Sequence, residues 1–425
     1  MLQTAFIREN KEKVLAGLAK RNKDFTAQVE EVLLLDENRR KTQNELDGLL
    51  AEANRIAKEI GDLFKAGKKD EADGLKAQTA EIKEKSKALE TQLAELEEAQ
   101  KQVLYQIPNV PYEQVVHGKS AEENVEVFSW GNTPDLSASK KPHWELAAEH
   151  KLIDFELGVK ITGAGFPVYI GAGARLQRAL INFFLDEARN AGYTEYQPPH
   201  MVNEASGYGT GQLPDKEGQM YYVKEDDLYL IPTAEVPLTN LFRDVILKED
   251  ELPILMTGYT PCFRREAGSY GKDVRGLNRL HQFDKVEIVQ LAHPSKSYEK
   301  LETMVDHVKG ILQKLGLQFR IVRLCGGDMG FTSAMTYDFE VYSAAQERWL
   351  EVSSTSNFET FQANRLKCRF KGTDGKTQLV HTLNGSALAL PRILAALLEN
   401  HQTAEGIKIP DALVPYTGFD FIGKN

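Results

Sequence analysis

The chain has 425 residues, of which 42% are hydrophobic and 27% charged, and its formal net charge is -10. This length predicts two or three domains, and no apolar run approaches membrane-spanning length, so no membrane association is expected. The opening MLQTAFIRENKEKVL predicts a charged helix rather than a signal peptide. The three cysteines are far apart, which argues against a disulfide framework or a CxxC zinc site and favours a cytoplasmic protein. The acidic net charge does not exclude a nucleic-acid partner, because an average hides local basic surfaces.

Residues 1–107 are predicted to form an N-terminal helical domain. Apolar residues recur at alternating steps of three and four, first at Val32, Leu35, Leu46, Leu49, Ala53, Ile56, Ile60 and Leu63. The segment 64–74 interrupts the pattern, and a second run follows at Leu75, Ile82, Leu89, Leu93, Leu96 and Val103. Polar residues occupy other seam positions, namely Arg39, Thr42, Thr79, Ser86 and Gln100. This spacing predicts an antiparallel coiled-coil hairpin with arms at about 27–64 and 74–103, each reaching roughly 50 Å.

The periodicity alone leaves two roles open for the hairpin. One is a dimerisation or scaffold coiled coil with a solvated charged face. The other is a projecting arm whose basic edges contact a large polyanion. The second role would use basic residues that we expect to be exposed: Lys11, Lys13, Lys20, Arg21, Lys23, Arg39, Arg40, Lys41, Arg55 and Lys58.

Residues 108–425 have a different pattern. A loop-rich connector covers 110–140, and from about 150 helices mix with alternating strands such as MYYVKEDDLYLIP and LQFRIVRL. Regular βαβ alternation is missing, and several strands read as hairpin partners. The pattern therefore predicts an α+β domain with an antiparallel sheet.

Residues 260–290 contain the strongest candidate site. The common phosphate-binding loops are missing, because the GKS at 118–120 has Glu113 where a P-loop needs its first glycine. Instead two predicted strands, CFRRE and HQFDKVEIV, flank a glycine-rich basic loop. Strand geometry predicts that Arg264 and Glu266 share one face of the first strand. The same reasoning puts Arg279, Phe283 and Glu287 on one face of the second strand. Such charged pairs are usually cross-strand ion pairs, but five such residues on matching faces suggest a nucleotide site.

These motifs resemble those of class II aminoacyl-tRNA synthetases, specifically the bacterial-type seryl-tRNA synthetase family. FRREAG, the basic loop and RLHQFDKVE resemble motif 2. Residues 172–200, an amphipathic helix followed by GYTEYQPP, resemble motif 1, and TLNGSALALPRILAALLENHQ at 382–402 resembles motif 3. The resemblance covers essentially the whole chain. It implies a class II antiparallel-sheet catalytic domain, an N-terminal tRNA-binding hairpin and a homodimer formed through the motif 1 region.

The resemblance implies an ATP site and catalytic residues Arg264, Arg279 and Arg392. Arg264 would hold the α-phosphate, Arg279 the γ-phosphate and Glu266 the adenine amine, while Phe283 and Arg392 sandwich the adenine. Glu351 and Ser354 would bind Mg²⁺, which accepts a carboxylate together with phosphate oxygens. The remaining expected ATP contacts are Arg265, Val352 and Ser353. Arg265 is bulky where the family commonly has a small residue, and it is expected to point away from ATP.

The same resemblance implies a serine site. Thr233, Ala234 and Glu235 match a TxE element whose glutamate pairs with the substrate ammonium group, although Thr233 also suits a helix N-cap. Glu287, Asn384 and Ser386 match positions near the substrate hydroxyl, and Arg264 would contact the serine carboxylate. Motif 3 usually carries more glycine than it does here, and this departure weakens the assignment of Ser386.

The implied activity is ligation of L-serine to tRNA(Ser), with tRNA(Sec) open as a second acceptor. Two other readings remain. An amino-acid:carrier-protein ligase shares the catalytic core but lacks the long hairpin, which is present here. A non-catalytic adaptor built on a decayed synthetase should have lost residues such as Arg264, Glu266, Arg279, Glu351 and Arg392, yet all five are present.

Overall fold

The computed structural model describes residues 1–215, 217–267 and 275–423. Its contacts divide the chain into two compact units. The first contains Leu2–Ala19 and Lys23–Pro108, and the second contains Met1, Lys20–Asn22 and Asn109–Asn425. No helix in the described part of the chain is both long and apolar enough to cross a membrane.

The N-terminal unit is entirely helical. Its helices are α1 (Thr4–Glu9), α2 (Lys11–Ala19), α3 (Thr26–Lys65) and α4 (Lys69–Leu104). With 40 and 36 residues, α3 and α4 are about 60 and 54 Å long. They pack against each other along their length. The predicted antiparallel helical hairpin is therefore confirmed.

The seam between α3 and α4 contains polar as well as apolar side chains. Val32, Leu46 and Ile56 are buried as the 3/4 spacing predicts, and so are the polar Thr42, Ser86 and Gln100. The amide of Gln100 donates to the backbone oxygen of Val32 at 3.3 Å. Such a contact specifies the alignment of the two helices, since a shifted register would leave the buried amide without a partner.

The turn of the hairpin is shorter than its predicted span of 64–74. Only residues 66–68 separate the two helices, and α4 begins at Lys69 instead of position 74. Asp70 and Glu71 occupy the first turn of α4, where acidic side chains interact favourably with the helix dipole. This local effect allows the helix to include Gly74, which the sequence pattern places in the break.

One of the basic residues expected to be exposed is buried. Arg21 is 7% exposed, and its guanidinium donates to the backbone oxygens of Asn109, Met329, Gly330 and Ser333. Four carbonyl acceptors satisfy a charged group that has lost its water. Arg21 is thus a structural residue of the second unit and is unsuited to bind a polyanion.

The second unit contains the remaining elements. Its helices are α5 (His143–Glu149), α6 (Phe155–Ile161), α7 (Gly171–Asn190), α8 (Glu204–Thr210), α9 (Glu235–Asn240), α10 (Ser297–Lys314), α11 (Thr360–Leu366), α12 (Leu390–Asn400) and α13 (Val414–Thr417). Its strands are β1 (Val125–Trp130), β2 (Ile153–Asp154), β3 (Val168–Tyr169), β4 (Thr194–Glu195), β5 (Met201–Asn203), β6 (Tyr222–Val223), β7 (Leu228–Leu230), β8 (Ile246–Lys248), β9 (Ile254–Phe263), β10 (Gln282–Ala292), β11 (Phe319–Arg323), β12 (Met335–Ser343), β13 (Arg348–Glu359), β14 (Arg369–Lys371), β15 (Thr377–Leu379), β16 (His381–Ala389), β17 (Gly406–Lys408) and β18 (Phe421–Gly423).

An eight-stranded sheet organises this unit, in the order β1-β11-β12-β13-β16-β10-β9-β4. Its neighbouring strands are antiparallel except for β4, which pairs with β9 in parallel. The predicted α+β class with an antiparallel sheet is confirmed. Helices α7, α10 and α12 pack on one face and form the main core with side chains such as Phe184, Ile288 and Leu394.

The other face of the central strands is more polar. Along β10, Val286 and Ile288 point into the helical core, so Lys285 and Glu287 project to the opposite face. Asn384 and Ser386 share that face on the neighbouring β16, where Ser386 lies directly opposite Glu287. Side chains from two long strands, β10 and β16, therefore meet on one surface.

Candidate active site

The charged residues of the 260–290 segment lie beyond the strand ends. Strand β9 ends at Phe263, which pairs with Gln282 at the start of β10. The expectation that Arg264 and Glu266 share a strand face is wrong, because the backbone leaves the sheet after Phe263 and Glu266 has a φ of +50°. Arg279 likewise precedes β10. Of the residues assigned to the strands, only Phe283 and Glu287 lie on one, and they share a face.

The three arginines are nevertheless linked, partly by contacts and partly by neighbouring positions in the sequence. The guanidinium of Arg264 lies over the ring of Phe283, 5.2 Å from its centroid. Two residues further on, Glu266 accepts a hydrogen bond from Arg279 Nε. Arg392 Nε donates to the backbone oxygen of Asn278, the neighbour of Arg279, at 3.2 Å. Glycine-rich residues 268–274 of the loop lie outside the described residues.

Arg392 also connects this cluster to β13. Its Nη1 donates to the backbone oxygen of Glu351 at 2.6 Å and lies 3.4 Å from Glu351 Oε2. The Glu351 carboxylate is half exposed, whereas Ser354 lies opposite Asp338 in the β12–β13 register and hydrogen-bonds to it. Burial, with a further contribution from the charge of Glu351, raises the pKa of the Asp338 carboxyl well above its ordinary value.

Two of the expected ATP contacts point away from the arginine cluster. Val352 is 1% exposed and belongs to the apolar core, at the point where β13 shifts register against β12. Ser353 is buried and donates to the backbone oxygen of Ser386 at 2.6 Å. Only the main chain of these two residues remains available to a ligand on the polar face. The side chain of Arg265 is exposed, while its backbone N–H donates to Gln219 at 2.8 Å.

The serine-site candidates meet around the buried carboxylate of Glu287. Glu287 is 1% exposed, and Asn384 Nδ2 and Thr233 Oγ1 both lie 3.3 Å from its oxygens. Thr233 Oγ1 also accepts the backbone N–H of Glu235, the first residue of α9, at 3.2 Å, although the N-cap position itself is Ala234. Ala234 is fully buried beneath them.

Two residues of this cluster had not been singled out from the sequence. Lys285 Nζ lies 2.6 Å from Glu287 Oε2 and donates to Thr233 Oγ1 at 2.9 Å. Its position two residues before Glu287 on β10 is a signal that strand periodicity could have provided. Gln362, on α11, donates to Glu235 Oε1 at 2.6 Å, and its own oxygen accepts from Thr382 at 2.7 Å. No local pattern connects Gln362 with Glu235, because the two are 127 positions apart.

Glu235 is a second buried carboxylate in the same pocket. Burial, and to a lesser extent the charge of Glu287, raise the pKa of Glu235 to about 7. The opposing contributions come from Gln362, Lys285 and Arg264, which shows that the serine-site candidates and the arginine cluster are electrostatic neighbours. A cationic ligand group would favour the ionised form of Glu235.

The described residues contain no group of three or more His, Cys, Asp or Glu side chains suited to hold a metal ion. Glu351 and Ser354 provide only one carboxylate and one hydroxyl. This donor set fits Mg²⁺ bound jointly by protein and phosphate oxygens, because Mg²⁺ commonly uses one or two carboxylates plus substrate phosphates.

The comparisons with known proteins follow the same division of the chain. Residues 1–111 match the seryl-tRNA synthetase N-terminal domain, and residues 221–401 match the tRNA synthetase class II core domain (G, H, P, S and T). The serine–tRNA ligase of Salinibacter ruber is 49% identical over 425 residues, covering 100% of this chain and 99% of that protein. The chain belongs to the seryl-tRNA synthetase family.

Further relatives support this assignment. The serine–tRNA ligase of Akkermansia muciniphila is 48% identical over 424 residues, which is 99% of both chains. The solved structure of seryl-tRNA synthetase from Pyrococcus horikoshii complexed with ATP has a TM-score of 0.91 at 36% identity and covers 100% of both chains. The chain is therefore an aminoacyl-tRNA synthetase with the class II fold, as its motifs predict.

Proposed function

We propose that this protein is a serine–tRNA ligase that activates L-serine with ATP and transfers the seryl group to tRNA(Ser), with tRNA(Sec) as a second candidate acceptor. The observation that carries the proposal is the pair of buried carboxylates, Glu235 and Glu287, beside a cluster of guanidinium groups. An amino acid presents an ammonium group and a carboxylate, and ATP presents a triphosphate. The pocket offers an opposite charge for each of these groups.

Recognition of serine rests on Glu235 and Glu287. Glu235 would pair with the ammonium group, and Glu287 would accept the side-chain hydroxyl, with Asn384 and Ser386 nearby. Alanine would leave the buried Glu287 carboxylate short of a donor, which costs binding energy. Threonine would be excluded by size. Lys285 and Thr233 hold Glu287 in position before the substrate arrives.

Binding of ATP would replace two internal ion pairs. Arg279 pairs with Glu266, and Arg392 with Glu351, in the free protein. In the proposed complex Arg279 meets the γ-phosphate, Glu266 receives the adenine amine and Arg392 covers the adenine ring against Phe283. The pairs keep the charged groups ordered in the absence of nucleotide, which lowers the entropic cost of binding.

The chemical step is attack of the serine carboxylate oxygen on the α-phosphorus, which forms the carboxyl–phosphate bond of seryl-adenylate and releases pyrophosphate. The carboxylate is already ionised at neutral pH, so no general base is needed. Arg264 would hold the α-phosphate and neutralise its growing charge, and the pocket would align the two reactants. Glu351 and Ser354 would hold Mg²⁺, which supplies further positive charge to the phosphates when it is bound.

The hairpin of α3 and α4 is the proposed tRNA-binding element. Four exposed lysines of the first unit, Lys13, Lys23, Lys41 and Lys58, take part in no ion pair within the described residues. Their ammonium groups are available to phosphates, and backbone contacts of this kind position a nucleic acid without reading its sequence. Transfer would then join the seryl group to a hydroxyl of the terminal tRNA ribose and release AMP. We place this reaction in the cytoplasm, where the three cysteines, all buried thiols here, stay reduced.

The experiment that tests this proposal is serine-dependent exchange between ATP and labelled pyrophosphate. Arg264→Ala should lower the rate at least 100-fold, the size expected when a group that stabilises transition-state charge is lost. Arg55→Ala is the control, because the Arg55 side chain is 62% exposed on α3 and pyrophosphate exchange does not involve the hairpin. An Arg264→Ala protein with full activity, or a wild-type protein that prefers threonine, alanine or glycine, would refute the assignment.

A further inference from the structure

A buried histidine and a buried glutamate contact the segment that leads to Arg279, although neither belongs to the proposed substrate pocket. His143 begins α5, Glu399 lies near the end of α12, and both are 0% exposed. His143 Nδ1 lies 2.7 Å from Glu399 Oε1, and the His143 backbone N–H donates to the same oxygen at 2.9 Å. The Ser343 hydroxyl and the Gln346 amide also donate to this carboxylate.

These contacts keep Glu399 ionised. Burial acts to raise its pKa, but the hydrogen bonds and charge interaction with His143, together with the Ser343 hydrogen bond, outweigh burial and hold the pKa of Glu399 below its ordinary value. A buried carboxylate is a costly arrangement for a protein core even when it accepts several hydrogen bonds. Two apolar side chains could fill the same space. A role in holding the neighbouring loop in position therefore explains His143 and Glu399 better than core packing does.

The opposite edge of the His143 ring, at Nε2, is hydrogen-bonded to the backbone of the segment before Arg279. The Leu277 N–H donates to His143 Nε2 at 2.8 Å. Since Nε2 accepts this bond, the ring proton resides on Nδ1 and is donated to Glu399. The fit is close: Gly276 has a φ of +68°, and a Cβ added there would lie 2.2 Å from His143 Nε2. Glutamate, imidazole and loop backbone thus form one directed chain of hydrogen bonds.

A second connection runs from Glu399 to the next loop residue. Gln346 Nε2 donates to Glu399 Oε1 at 2.8 Å, and Gln346 Oε1 accepts from Asn278 Nδ2 at 3.2 Å. The Asn278 backbone oxygen in turn accepts from Arg392 Nε at 3.2 Å. Arg392 and Glu399 lie seven residues apart on α12, about two helical turns, and therefore on one side of the helix.

We propose that His143 and Glu399 are positioning residues for nucleotide binding. They fix the backbone of residues 277–278 to α12, and this sets the place of Arg279 relative to Arg392. The inference rests on the proposed function, in which these two arginines contact ATP. The proposed serine contacts other than Arg264 lie on β10, on β16 and in residues 233–235, and they do not depend on this connection, so the pair should affect ATP and leave serine binding unchanged.

The test uses two substitutions that each preserve one edge of the imidazole. His143→Asn keeps an amide N–H near the place of Nδ1 but loses the acceptor for Leu277. His143→Gln brings an amide oxygen near the place of Nε2 but loses the donor to Glu399. In serine-dependent pyrophosphate exchange we expect His143→Asn to raise the KM for ATP about tenfold, the size of a lost buried hydrogen bond, with the KM for serine unchanged. His143→Gln keeps an acceptor for Leu277 but loses the bond to Glu399, so it should raise the KM for ATP by a smaller factor, about threefold.

Each outcome separates the positioning role from a structural one. If both variants shift both KM values equally and in proportion to their thermal destabilisation, the positioning role is refuted. Should His143→Asn fail to fold, Gln346→Ala provides the same test at a half-buried site: a raised KM for ATP alone supports the proposal, and an unchanged one overturns it. A wild-type protein without serine-dependent exchange would refute the proposed function as well. Wild-type exchange with an unaltered His143→Asn variant refutes only the positioning role.

Discussion

The two carboxylates of the serine-site candidates have different surroundings. Glu287 lies beside the ammonium group of Lys285, 2.6 Å away, whereas Glu235 accepts from the neutral amide of Gln362. The difference suits two tasks. A carboxylate that already has a cation can accept a substrate hydroxyl, and one without a direct cation gains most from a substrate ammonium group. The raised pKa of Glu235, about 7, is the electrostatic result.

Replacing Glu235 by glutamine tests this division. Glu235→Gln should raise the KM for serine roughly 10- to 100-fold, because a hydrogen bond between charged groups is lost, while the KM for ATP stays constant. The wild-type KM for serine should rise as the pH falls from 8 to 6, since Glu235 becomes protonated near pH 7, and the variant should show no such pH dependence. A serine KM that depends equally on pH in both proteins would contradict the role of Glu235.

The titration of Glu235 should make the stability of the folded protein depend on pH in a predictable direction. The folded pKa of Glu235 lies above its ordinary value, so protonation of this residue favours the folded state. This contribution is complete below the ordinary pKa and is lost as the pH rises through about 7. Glu235→Gln, which is neutral throughout, should therefore melt no lower than the wild-type protein at pH 8. The melting temperatures provide the folding control for the kinetic measurement.

At the scale of elements, periodicity predicted the interiors of helices and strands but did not predict where a strand ends. The 3/4 spacing gave both arms of the hairpin, and the apolar stripe of Leu176, Leu180 and Phe184 gave α7. Strand periodicity failed after Phe263, where the chain leaves the sheet, and Glu266 three residues later has a positive φ that its residue type does not signal. Gln362 was missed because a contact between distant elements leaves no local pattern.

Shortening the hairpin should separate the two half-reactions. Deleting residues 43–91 and joining the arms by a short flexible linker keeps Asp36 with its partners Arg8, Arg39 and Arg40. Serine activation should change less than about threefold, whereas kcat/KM for tRNA should fall about 100-fold or more because phosphate contacts are lost. Both assays on one preparation provide the internal control. Normal charging by the shortened protein would rule out the hairpin as the tRNA-binding element.

At the scale of the whole molecule, the segment just before the motif 1 region (residues 172–200) has apolar side chains that this single chain leaves in contact with water. Leu157, Val159 and Ile161 of α6 are 40%, 56% and 74% exposed, and Ile170, just before α7, is 38% exposed. Soluble monomers rarely expose several large apolar side chains in adjoining segments. The motif 1 resemblance implies that a second copy of the same chain covers this surface. We therefore propose a homodimer that forms through it.

A charge on this surface should disrupt the dimer. We expect the wild-type protein to sediment at twice the chain mass of 47.7 kDa and Ile161→Glu to sediment as the 47.7 kDa monomer at micromolar concentration. The physical reason is that a carboxylate buried in an apolar interface loses its hydration without a partner. Leu241→Glu is the matched control, since Leu241 is a 47% exposed apolar residue outside this region, and it should remain dimeric. A wild-type monomer, or an Ile161→Glu protein that stays dimeric, would place the interface elsewhere or remove it.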